Sequence, residues 1–81
     1  MYSLVPYFLK LEKNVYQYRL FPDYIKEDDT IIKYAIQINS WILRDLPFRY
    51  KNNKEFIFPL LKKNPSLFIN ISPELKEDEE I

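Results

Sequence analysis

The sequence predicts an all-α protein of about three stacked helical-hairpin repeats, each 25 residues long. Asparagine recurs on that step at Asn14, Asn39 and Asn64. Other positions share it. Leu11, Ile36 and Leu61 form one apolar series, Tyr18, Leu43 and Phe68 another, and Phe21, Leu46 and Ile71 a third. Ser3, Asp28, Asn53 and Asp78 form a small polar series. Between these markers the apolar residues fall at helical spacing. A fixed period in this range is the mark of a stacked-repeat architecture, which presents binding surfaces more readily than catalytic clefts. The 81 residues are read as one domain with repeats near 1–22, 23–47 and 48–72, and a partial unit over 73–81.

The middle unit is the clearest. Asp28 is placed to cap a helix whose apolar residues are Ile31, Ile32, Ala35, Ile36 and Ile38, and Asp29 adds negative charge at its start. Asn39 is expected to end this helix in a left-handed backbone, the job usually given to glycine, which the chain lacks. The next unit follows the same frame. Asn53 caps, Phe56, Ile57, Leu60 and Leu61 form the stripe, Asn64 stops it, and Pro59 inside predicts a kink. In the first unit Ser3 caps, Pro6 falls in the first turn, and Lys10 stands where Ala35 and Leu60 stand later, as suits a terminal repeat. Long helices are therefore expected near 4–13, 29–38 and 54–63. A short second helix should follow each asparagine, over Tyr16 to Phe21, Trp41 to Leu46 and Ser66 to Ile71. Then comes about one turn beginning near Pro22, Pro47 or Pro73, since proline is poor inside a helix and good at its first position. Ile32, Ile36, Leu43, Ile57, Leu61 and Phe68 are the expected core. Acidic Glu74 to Glu80 reads as a solvated chain end and helix start.

Composition narrows function by exclusion. With 47% apolar and 17% aromatic residues the chain is too rich in core-forming side chains to be disordered. Its 12 basic and 12 acidic residues cancel, so no long-range field of one sign draws in nucleic acid. Histidine and cysteine are absent, which removes the usual general base near neutral pH, the thiol nucleophile and most transition-metal sites. Without glycine there is no phosphate-cradling loop. The adjacent acids Asp28/Asp29 and Glu79/Glu80 fall at helix starts, where capping accounts for them. No enzyme activity, cofactor or metal is expected. The N-terminal apolar stretch Met1 to Leu9 is too short to span a membrane and lacks the pattern of a signal peptide, so an intracellular protein is expected. Residues with AT-rich codons (Ile, Lys, Asn, Tyr, Phe) are abundant, which points to an AT-rich genome, viral or bacterial.

The segments Asn53-Lys-Glu-Phe-Ile-Phe-Pro-Leu-Leu-Lys-Lys-Asn64 and Ile71-Ser-Pro-Glu-Leu-Lys-Glu-Asp78 resemble a family of short helical tandem repeats of unknown function. Such repeats occur in bacterial effector-like proteins and large DNA viruses. Asp28 to Asn39 matches more loosely and residues 1–22 poorly. The family usually has glycine after the asparagine, where this chain has Ser40 and Pro65. The resemblance implies an all-α repeat fold and no catalytic residue.

The function expected is that of a non-enzymatic protein-protein interaction module, a viral or effector-type inhibitor or adaptor. Binding is expected through exposed aromatics, with Trp41 leading and Tyr16, Tyr34 and Tyr50 behind it. Trp41 aligns with Tyr16 and Ser66, so its position does not demand burial; the competing reading makes it a plug between repeats. Two alternatives stand beside this one. Arg44, Arg49, Lys51 and Lys54 near Trp41 and Tyr50 form a weak basic patch for nucleic acid. The chain could also be a subunit of a larger assembly, or associate with itself, because a core this small benefits from a neighbour.

Overall fold

The computed structural model describes residues 3–81. Met1 and Tyr2, which open the apolar N-terminal stretch, lie outside the described residues. Every regular element among the described residues is helical. A long α-helix, a six-residue 3₁₀ helix and a four-residue α-helical turn follow one another three times. They are α1 (Val5–Lys13), η1 (Val15–Leu20) and α2 (Asp23–Lys26); α3 (Asp29–Ile38), η2 (Ser40–Asp45) and α4 (Phe48–Lys51); and α5 (Lys54–Lys63), η3 (Pro65–Asn70) and α6 (Pro73–Lys76). The three long helices lie where the sequence places them. The short second helices are 3₁₀ rather than α, and six residues is long for the tighter i→i+3 winding, which usually runs for about three or four.

The caps divide into those expected and those that differ. The Asp28 side chain accepts from the Thr30 amide at 2.9 Å, and the Asn53 side chain accepts from the Phe56 amide at 3.2 Å, as N-caps do. Ser3 Oγ accepts from the Val5 amide at 3.3 Å, one residue ahead of the helix N-cap, Leu4. Pro22 and Pro47 are N-caps, not first helical residues. Both have extended backbone, and their carbonyls accept the first bonds of the turn, such as Ile25 N–H to Pro22 at 2.9 Å. Pro73 does occupy a first helical position, after Ser72.

The expected left-handed asparagines are absent. No described residue has a positive φ, and Asn14, Asn39 and Asn64 have φ of −161°, −154° and −142°. Each is a one-residue joint between two helices: its amide donates to the helix behind, at Lys10, Ala35 or Leu60, while two of the three side chains cap the helix ahead. Asn14 Oδ1 accepts from the Tyr16 amide and Asn39 Oδ1 from the Trp41 amide, both at 3.0 Å. Asn64 makes no such bond. Helix α5 continues through Pro59 as one element. The carbonyl left without its usual donor belongs to Glu55, and both residues are exposed to water.

Contacts divide the chain into two compact units, Met1–Ile42 and Leu43–Ile81. In the first, α1 packs on α3 and η1, and α3 also packs on η1 and α2. Leu11, Tyr18, Ile25, Ile31 and Ile32 are sealed within its core. The Tyr18 hydroxyl, carried inward by its ring, donates to the Lys26 carbonyl at 2.6 Å, which meets the rule that a buried polar group needs a partner. In the second unit α5 packs on η3 and α4, around Ile57, Leu67 and Tyr50. Ser72, 2% exposed, ties its turns together. Its amide donates to the Lys51 carbonyl at 3.0 Å, its hydroxyl donates to Asn52 Oδ1 at 2.6 Å, and its oxygen accepts from the Leu75 amide at 3.2 Å.

Of the expected core, Ile32, Ile36, Leu43 and Ile57 are buried. Two are not. Leu61 is half-buried along a groove, and Phe68 is 38% exposed. Their series partners Leu11 and Tyr18 are 0% and 1% exposed, so position in the pattern does not by itself secure cover.

Candidate interaction surface

Trp41 stands second in η2, its amide held by Asn39 Oδ1. The next two side chains, Ile42 and Leu43, are fully buried, while Trp41 is 37% exposed. The cap thus fixes the backbone and leaves much of the indole in water. Tyr16 has the same place in η1 after Asn14 and is half-buried, with the Arg19 guanidinium 5.0 Å from its ring centre. Tyr34, on α3, is half-buried against Phe8 at 4.7 Å between ring centres. Its hydroxyl donates to the Glu12 carboxylate, and that bond raises its pKa above the usual phenol value. These three residues lie on separate elements of the first unit.

Tyr50 is a correction. It is 6% exposed, edge-on to Phe56 at 4.9 Å and covered by the Arg49 guanidinium at 4.5 Å. It belongs to the core of the second unit and is not available as a contact. The 25-residue step held the signal, because its equivalents Ile25 and Leu75 are both aliphatic and both buried.

The basic patch is engaged within the protein. Arg44 approaches Asp45 at 3.9 Å, the Lys51 ammonium donates to the Arg44 carbonyl at 2.7 Å, and Arg49 lies on Tyr50. Lys54 bridges Asp78 at 3.1 Å and Glu80 at 2.6 Å. These contacts anchor the acidic terminal segment to the start of α5. Asp78 also accepts from the Glu80 amide at 2.9 Å, as Asp28 does in its own turn.

Sequence reasoning missed two surfaces. One is a groove along α5. Lys54, Glu55, Phe58, Pro59 and Glu80 line a part of about 320 Å³, and Phe58, Leu61, Lys62, Glu80 and Ile81 line a part of about 190 Å³. The other is a pair of aliphatic side chains one turn apart on α1, Val5 and Leu9, 58% and 55% exposed. Among the described residues no group of three His, Cys, Asp or Glu is placed to hold a metal, and no helix is long and apolar enough to cross a membrane. No protein-family model matches the chain, and no curated protein or solved structure is significantly similar to it.

Proposed function

We propose that the chain is a non-enzymatic protein-binding module of three 25-residue helical repeats. It acts inside the cell as an inhibitor or adaptor of the viral or effector type. The threefold order of long helix, 3₁₀ helix and single turn supports the repeat reading, as does the likeness of α5 to α6 to short helical tandem repeats. Trp41 carries the binding reading. A tryptophan held by its backbone and 37% open, beside two fully buried residues, offers a large rigid anchor at low entropic cost. Tyr16, in the equivalent capped position, and Tyr34 extend the contact. Tyr50 has no part in it.

The test begins with a pull-down from the source organism, with and without nuclease. A stoichiometric protein partner supports the proposal; material lost on nuclease treatment replaces it with nucleic-acid binding. Trp41→Ala is then expected to weaken partner binding by about 2 kcal/mol or more with little change in melting temperature. Normal affinity in the folded variant removes Trp41 from the site.

A further inference from the structure

Helix α1 exposes Leu9 and helix α5 lines an open groove with Phe58, at positions whose counterparts Tyr34 and Phe8 meet in the α1–α3 contact of the first unit. There, α3 lies on α1. Tyr34 packs on Phe8 at 4.7 Å and bonds Glu12, and Leu11 is fully buried. On α5 the positions of Phe8, Leu11 and Glu12 are taken, two steps of 25 residues later, by Phe58, Leu61 and Lys62. All three line the open groove, and Leu61 is half-buried where Leu11 is sealed. Helix α5 thus carries the counterparts of the receiving residues of α1 along an open groove whose other lining is Glu80 and Ile81.

The docking face is present as well. On α3 it includes Tyr34; one step earlier in the chain that position is Leu9, and Val5 lies one turn before it on α1. Val5 and Leu9 are 58% and 55% exposed. Lys10, also exposed, replaces the fully buried Ala35. One molecule therefore owns an apolar groove lined by the counterparts of Phe8 and Leu11, and an exposed aliphatic pair whose Leu9 is the counterpart of Tyr34.

We propose that the α5 groove of one molecule receives the α1 ridge of a second copy, giving head-to-tail association. In the pose α3 takes on α1, Leu9 lies over Phe58 and Val5 sits one turn along. The groove rim carries both signs, Lys54 and Lys62 with Glu55 and Glu80, so Lys10 and Lys13 on the incoming helix meet carboxylates as well as ammonium groups. The interface is heterologous, so growth is open-ended unless the rotation closes a ring. It is also one helix wide, which places it among weak, concentration-dependent contacts. The inference rests on the repeat register of the proposed function and is independent of Trp41.

Sedimentation of the purified chain at rising concentration tests it. The mean mass is expected to climb into the millimolar range. Leu9→Glu spoils only the ridge and Phe58→Glu only the groove. Each alone should weaken association by roughly tenfold or more, because every interface then contains one damaged face. An equimolar mixture should recover dimers and stop there, since Leu9→Glu keeps its groove and Phe58→Glu keeps its ridge. Should Phe58→Glu lose helical signal, Pro59→Glu replaces it, adding charge to the groove at an exposed position while removing a helix-breaking residue. A wild-type chain monomeric at every concentration, or a mixture that stays monomeric, overturns the proposal. If the Phe8–Tyr34 contact persists by NMR in that monomer, the repeat register survives; if it is missing, the register falls too.

Discussion

Leu11 in the first unit and Leu61 in the second occupy the same place in the 25-residue pattern. One is sealed and the other lines a groove. Tyr18 and Phe68 differ in the same way, at 1% and 38% exposure. The residue types match, and the neighbours differ. α3 lies across α1, whereas α5 has an open groove on the corresponding side. An apolar side chain at a recurring position in the sequence is therefore conditionally buried, and where its cover is missing it stays open to water.

The largest expected effect sharpens this contrast. Leu11→Ala should cost about 2–5 kcal/mol, since a sealed side chain leaves a cavity. Leu61→Ala should cost on the order of 1 kcal/mol, because water can already reach part of it. Chemical denaturation of the two variants checks the difference. Equal losses would mean that Leu61 is covered in solution. For an 81-residue chain the larger figure is a substantial share of total stability.

A smaller effect separates the joints. Asn39→Ala should cost about 1 kcal/mol, the usual value of a side-chain cap, and Asn64→Ala almost nothing, because Asn64 caps no amide. Asn39→Gly should destabilise too, since φ there is already negative and glycine adds only unfolded-state freedom. A glycine variant more stable than the wild-type chain would contradict the extended joint.

The smallest effect concerns the clip between α5 and the terminal segment. The amide of Glu80, and then Lys54, hold the Asp78 carboxyl below the usual carboxylate range. Glu80, and then Asp78, raise the Lys54 ammonium above the usual lysine range. A depressed acid stabilises the fold above its unfolded pKa and loses that contribution as pH falls through the folded value. A raised base contributes below its unfolded pKa and loses the contribution as pH rises through the folded value. The clip is therefore complete near neutral pH and opens at both extremes. Amide chemical shifts of residues 77–81 followed against pH should show both transitions, and Lys54→Gln should abolish the alkaline one. Its energetic weight is small because all three groups are solvated.

Local chemistry in the sequence was sufficient for the helical class, the three long helices and the caps at Asp28 and Asn53. Apolar spacing and an acceptor ahead of a first turn act over a few residues and need no distant partner. The same step, carried through to Tyr50, would have placed it with Ile25 and Leu75 in the core. Three features waited for tertiary structure. The asparagines have negative, non-helical φ because each stands directly between an α-helix and a 3₁₀ helix, and a residue that starts the next helix takes a β-region backbone rather than a left-handed one. Leu61 and Phe68 are open because burial depends on which element lies across a position, and spacing along one chain does not state that. The Lys54, Asp78 and Glu80 clip joins residues 24 and 26 positions apart, so only folding brings those charges within reach.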